Sequence, residues 1–272
     1  WVRLGGQSRR LAGDGSAPGV SEQSTDLTLG GDVAVGAGWR LGGAWGYTDA
    51  RLGTSSRQAS ATLHSYTATV YGGKDYALGA GTLTLTAGGA YAWHHVDSRR
   101  AVRYGSLDQT LTAGYRGATT QVFAEAGYAL ALSDTAVLEP FVNLAWNQLR
   151  MQGFSESGGS AALASDGQRQ RNLSSLTGVR GGWQVPGTAI ALRGMLGWRH
   201  VYGNTRPSVA LSFSQGPTFD TGGAPIARDA ARIELGADIV AIRNMTAGLN
   251  YGGEFGGGNR QHAGSLEMRW RF

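Results

Sequence analysis

Apolar and polar residues alternate along most of this chain, most cleanly at its end. Over residues 266–272 the order is Leu-Glu-Met-Arg-Trp-Arg-Phe. Successive side chains of an extended strand point to opposite faces, so Leu266, Met268, Trp270 and Phe272 share one face and Glu267, Arg269 and Arg271 the other. One face is greasy and the other charged, the pattern of a strand with lipid outside and water inside.

Eleven earlier stretches repeat it. The first, at 1–10, sets Val2 and Leu4 against Arg3, and the second, at 25–33, sets Leu27, Leu29 and Val33 against Asp26, Thr28 and Asp32. The third opposes Trp39, Leu41, Trp45 and Tyr47 to Arg40 and Thr48; the fourth opposes His64, Tyr66 and Val70 to Ser65, Thr67 and Thr69. The fifth alternates from Thr82 and runs on to Arg103, longer than the roughly 9–11 residues that cross a bilayer, so its excess is expected to project beyond it. The sixth sets Val122, Tyr128 and Leu132 against Glu125, and the seventh sets Leu138, Val142 and Trp146 against Glu139. The eighth, at 173–185, carries Arg180 on its polar face, and the ninth sets Ile190, Leu196 and Trp198 against Arg193 and Arg199. In the tenth, Ile233, Leu235 and Ile239 oppose Arg232, Glu234 and Asp238; in the eleventh, Met245, Leu249, Tyr251 and Phe255 oppose Asn250 and Glu254.

Turn signals at 36–38, 78–81, 133–135, 186–187 and 243–244 alternate with polar loops at 14–21, 54–58, 105–109, 155–170, 204–229 and 259–262. The spacing predicts a strict alternation of short turns and longer loops. It describes an all-β, up-and-down meander of twelve antiparallel strands, closed into a transmembrane β-barrel that occupies 1–272 as a single domain. Closure removes the edges that an open sheet this wide would expose. Twelve is even, so both termini fall on the short-turn side. The longest connection, 204–229, is expected to form a small hairpin from 208–214 and Phe219. Aromatics near strand ends, including Trp39, Trp93, Trp146 and Trp270, suit two interfacial girdles.

Composition narrows this further. The 272 residues hold 45 glycines and six prolines without a Gly-X-Y period, which excludes collagen. No run approaches the roughly 20 apolar residues of a spanning helix. There is no cysteine, hence no disulfide or thiolate site. The chain begins at Trp1 with no basic and apolar leader, so any signal peptide is expected upstream and the chain is expected to be the end of a longer protein.

The net charge of +5 raises the question of nucleic acid. The arginines are scattered singly, however, and Lys74 is the only lysine, so no basic stripe forms and no nucleic-acid partner is expected. Turning the polar face inward gathers Arg3, Arg40, Arg180, Arg193, Arg199, Arg232, Arg269 and Arg271 with Asp26, Asp32, Glu125, Glu139, Glu234, Asp238, Glu254 and Glu267. A lining so balanced in sign implies a wet lumen bridged by ion pairs. Arginine suits that setting because its planar fork grips carboxylates bidentately. The bland reading is bracing of the barrel; the functional one is easing or gripping a polypeptide within the pore.

Five stretches stand in a characteristic order: Leu138-Glu139-Pro140-Phe141, Gly197-Trp198-Arg199-His200, the run from Phe219 through Gly223-Ala224-Pro225-Ile226-Ala227-Arg228-Asp229, Asn250-Tyr251-Gly252-Gly253 and the terminal Arg269-Trp270-Arg271-Phe272. Together they resemble the translocator (β) domain of type Va autotransporters of Gram-negative bacteria. The resemblance implies a monomeric outer-membrane barrel with periplasmic termini and extracellular long loops. It implies export of an N-terminal passenger, and partners comprising membrane lipid, periplasmic chaperones and the barrel assembly machinery, which reads the C-terminal strand. It also implies a pore-threading helix ahead of the first strand, which this chain does not contain. Some relatives cut the passenger free inside the barrel with an asparagine of the threading helix and acidic lumen residues; Glu125, Glu139, Glu234, Asp238 and Glu254 have the inward parity of such helpers, no one of them is matched to a catalytic position, and no catalytic residue, metal or cofactor is expected.

Two alternatives remain. A stand-alone porin or adhesin barrel has the same alternation. A barrel hydrolase needs a His and a carboxylate on one inward face near the rim. His94 and His95 face opposite ways, while His95 and Asp97 share a face that continues the outward face of Trp93, and His200 follows Trp198 outward.

Overall fold

Among the described residues every element is a strand, because period-2 alternation and a high content of β-branched and aromatic residues leave no apolar stripe at helical spacing. The computed structural model describes residues 1–272 except 55–57, 214–215 and 243, with only the backbone at 240–242. The strands are β1 (Val2–Leu11), β2 (Val20–Val35), β3 (Trp39–Thr54), β4 (Ala59–Leu78), β5 (Gly81–Tyr104), β6 (Leu107–Ser133), β7 (Ala136–Ser155), β8 (Leu163–Gln184), β9 (Ile190–Tyr202), β10 (Ser208–Phe213), β11 (Phe219–Gly222), β12 (Asp229–Ile242), β13 (Met245–Gly256) and β14 (Asn259–Trp270).

Twelve of them close a ring. β1 to β9 pair in sequence, β9 pairs onward with β12, and β14 closes antiparallel on β1 with Val2 opposite Met268 and Leu4 opposite Leu266. β10 and β11 stand outside the ring as a two-stranded ribbon, Ser208 opposite Gly222 and Leu211 opposite Phe219. β10 also meets the start of β8, where Phe213 faces Leu163.

Large apolar side chains stand on the outer surface: Leu4, Leu29, Val70, Val122, Leu196, Leu249 and Leu266 are all exposed. On β3 to β5 the outward aromatics form one cluster, with Tyr91 and Trp93 centroids 4.9 Å apart, Tyr47 and Tyr66 5.1 Å, and Trp45 and Trp93 5.9 Å. The inner face uses glycine where a ring must lie flat on a neighbouring strand. A Cβ on Gly42 would stand 2.3 Å from the Tyr71 ring, and one on Gly88 2.6 Å from Phe123. These glycines let aromatic rings cover backbone inside the wall.

Connection lengths do not alternate strictly. At the end that carries both termini the turns are 36–38, 79–80, 134–135 and 185–189; at the distal end, 12–19, 156–162 and 203–228 are long but 105–106 and 257–258 are tight. Much of what reads as loop at 105–109 and 155–170 is strand. β5 and β6 run for 24 and 27 residues, and β8 begins at Leu163. A hairpin ladder satisfies its own backbone groups and needs no apolar face, so polar sequence can continue the wall past the apolar band. Gly105, at φ 58°, supplies the left-handed residue of the tight turn. Parts of the expected 54–58 loop, the 208–214 stretch and the 243–244 turn lie outside the described residues.

Candidate functional site in the barrel interior

Arg180, on β8, reaches across two strands. Its Nη2 donates to Oε1 of Glu139 on β7 at 3.1 Å and to Oε1 of Glu125 on β6, while its guanidinium carbon sits 4.5 Å from the centroid of the Phe141 ring. Asn143 donates to the other Glu125 oxygen at 3.1 Å. The register explains the meeting: Glu139 stands opposite Arg180, and Glu125 opposite Asn143, so the long arginine reaches diagonally to the far carboxylate. A planar cation on an aromatic face with two carboxylates at its edge is restrained in position and plane.

A second network covers the other wall. Arg193 on β9 donates to Asp238 on β12 at 2.8 Å and to Asn250 on β13 at 3.0 Å. Arg269 on β14 grips Glu267 with bonds of 2.6 and 3.0 Å and lies 3.7 Å from the second Asp238 oxygen. Arg199 bonds Glu254 at 2.8 Å and the Ala227 carbonyl at 3.3 Å, tying the long 203–228 connection to the wall. Asn259, fully buried, donates to the same Glu254 oxygen at 3.1 Å. Arg232 and Glu234, two apart on one strand, pair at 2.6 Å. Between the two networks lies a cavity of about 590 Å³ with walls from β1, β7, β8, β9, β12, β13 and β14; Arg3, Glu139, Arg180, Arg193, Glu234 and Glu267 border it.

The remaining charged residues fall elsewhere. Arg40 and Asp32 pair at 2.6 Å beside the 36–38 turn, and Asp26 lies against Gly5 of β1. Arg271 follows the last strand, and its backbone N–H bonds the Asn244 carbonyl at 3.0 Å. Phe272 is fully exposed beyond the ladder, whereas Leu266, Met268 and Trp270 lie within it.

Three polar groups of the interior fall outside the charged lining expected from the sequence. Asn143 and Asn250 share the parity of the charged residues, which places them on the polar face. The third is a hydroxyl–imidazole chain: His94 Nδ1 contacts Ser65 Oγ at 2.7 Å and its Nε2 contacts Thr119 Oγ1 at 2.8 Å. These partners come from β4 and β6, and only the register unites them. A hydroxyl stands where a hydrolytic triad has its carboxylate, so the chain fixes the ring without supplying an orienting acid. His95, 3.5 Å from Asp97, is on the opposite face.

Comparison with known proteins agrees with this architecture. Residues 1–252 match the family described as the autotransporter beta-domain. The chain is 36% identical over 275 residues to an extracellular serine protease of Serratia marcescens, covering all of this chain and 26% of that protein, so it spans about a quarter of that relative's length. It superposes on the translocator domain of the autotransporter NalP from Neisseria meningitidis with a TM-score of 0.78 at 16% identity, covering 100% of this chain and 88% of the other. The transport unit of AIDA-I from Escherichia coli gives 0.78 at 19% identity, over 100% and 90%. A closed twelve-stranded ring, a charged interior and a family match over nearly the whole length lead to one conclusion: the chain belongs to the autotransporter beta-domain family of outer-membrane translocator barrels.

Proposed function

We propose that this barrel anchors a passenger in the outer membrane and serves as the pore through which the passenger reaches the cell surface. The observation that carries the reading is the cavity between the Arg180 and Arg193 networks, bordered by both signs of charge. Paired charges present a hydrated, non-adhesive wall: an extended peptide finds no long apolar strip to stick to and no unbalanced field to hold it. In this reading Arg3, Arg40, Asp26, Asp32, Glu125, Glu139, Arg180, Arg193, Arg199, Arg232, Glu234, Asp238, Glu254, Glu267 and Arg269 line the pore.

The termini face the periplasm and the distal end faces outward; the 27-residue β6 and the 203–228 connection, both reaching the distal end, support this. The outward row Leu266, Met268 and Trp270, continued by Phe272, serves as the lipid face and as the signal read by the barrel assembly machinery, with periplasmic chaperones delivering the unfolded chain. We assign the barrel no chemistry of its own, and one copy completes the ring.

Planar-bilayer recording tests the pore. The purified chain is expected to conduct ions, and a longer form carrying the segment that precedes Trp1 is expected to conduct less. Equal conductance with and without that segment would sink the threaded-pore reading.

A further inference from the structure

A groove of about 660 Å³ lies on the outer surface across the seam where β14 closes on β1. Arg10, Arg51, Arg260 and His262 frame it, and Ser8 and Ser21 lie between them. The ladder explains the grouping. Arg10 stands opposite Arg260 and Ser8 opposite His262; on the other edge of β1, Arg10 meets Ser21 and Ser8 meets Gln23, which in turn stands opposite Arg51. Three strands, β1, β3 and β14, thus contribute basic groups around a small, hydroxyl-bearing floor to which β2 adds Ser21.

Like charges directly opposite in a ladder are destabilising. Arg10, Arg51 and Arg260 are exposed, and among the described residues none of them has a carboxylate within 4.0 Å. Of the acids nearby, Asp49, two residues from Arg51, lies 3.0 Å from His64, and Glu22, which also borders the groove, belongs to the alternate row opposite Arg9. Among the described residues the three outward arginines have no ion-pair partner.

Depth identifies what compensates them. On the same outward row, only Gly6 and Gly264 separate Ser8 and His262 from the apolar Leu4 and Leu266. Four residues of strand is about 13 Å along a tilted axis, which puts the groove just past the apolar band. His262 sits at an aromatic border, bonded to the Tyr251 hydroxyl at 2.9 Å and edge-on to Phe255 at 5.3 Å.

We propose that the groove binds the phosphate-bearing head group of an outer-membrane glycolipid. Arg10, Arg51 and Arg260 take the phosphate oxygens, the serine hydroxyls complete the polar contacts, and the acyl chains run down over Leu4, Leu27 and Leu266. Guanidinium forks match phosphate geometry, and a bound anion turns the Arg10–Arg260 repulsion into a bridge between the first and last strands. The choice of a glycolipid rests on the orientation proposed above.

Native mass spectrometry of the detergent-solubilised chain tests the site without reading conductance, so its failure and that of the pore are separate results. The probes are lipid A with its phosphates, the same lipid after dephosphorylation, and inorganic phosphate. The phosphorylated lipid is expected to bind about tenfold tighter than the dephosphorylated one, a preference lost in R10Q/R51Q/R260Q and kept in R103Q. Equal binding of the two lipids by the unaltered chain overturns the proposal, as does a preference that survives in the folded triple variant. Saturation by inorganic phosphate alone at low millimolar concentration overturns the assignment to a lipid.

Discussion

Leu4 of the first strand stands directly opposite Leu266 of the last, and both are exposed on the outer surface. Residues 262 positions apart therefore form one piece of lipid-facing wall at the place where the ring closes. Leu266→Arg should lower the stability of the barrel in lipid by about 2–4 kcal/mol, the range for an arginine near mid-bilayer. Denaturant titration in vesicles reads this directly. A change no larger than that of Leu266→Ala would mean the seam faces something other than hydrocarbon.

Arg180 holds Glu125 and Glu139 on one guanidinium nitrogen. Arg180→Met leaves both carboxylates without their cation, and the barrel should lose about 1–3 kcal/mol. Adding Glu125→Gln and Glu139→Gln should recover most of that loss, because the uncompensated charges go with it. Additive losses across the series, measured by thermal unfolding, would show that the three side chains do not act as a unit.

Asp14 links two distal connections. It accepts N–H bonds from Ala17 at 2.9 Å and Ser16 at 3.0 Å and pairs with Arg206 of the 203–228 connection. The Ala17 N–H above all, then the Ser16 N–H and Arg206, hold its carboxyl below the ordinary carboxylate value. A carboxylate lowered in the folded state contributes fully above its unfolded pKa, and the contribution is lost as pH falls through the lowered value. Amide exchange over 12–19 and 203–228 should stay slow from neutral pH into the ordinary carboxylate range, then quicken below it after correction for intrinsic rate. Asp14→Asn should be fast throughout; a variant as slow as the parent at neutral pH would remove the ion pair from the account.

Phe272 lies beyond the last ladder pair and is fully exposed, whereas Trp270 is still paired with Met245. Deleting Phe272 should therefore leave refolding in detergent within about 0.5 kcal/mol of the parent, as for other surface changes. Insertion into the outer membrane of cells should fall much further. Equal impairment in both assays would make Phe272 a stability residue instead of a recognition signal.

The alternation by itself determined strand identity, the sign of each face and the closed ring, because period 2 is local and each strand carries its own copy of it. Leu266, Met268 and Trp270 against Glu267 and Arg269 is readable from seven consecutive residues. The same rule failed where its cause was absent. It began β6 and β8 too late, because a polar hairpin beyond the bilayer has no greasy face to announce it. Which charges meet was decided only by the tertiary structure. The stagger of neighbouring strands sets Glu125, Glu139 and Arg180 on one wall and brings Ser65 and Thr119 to the two nitrogens of His94. Closure sets Arg10 against Arg260. Register arises from hydrogen bonds summed around the whole ring, and no single strand contains that information.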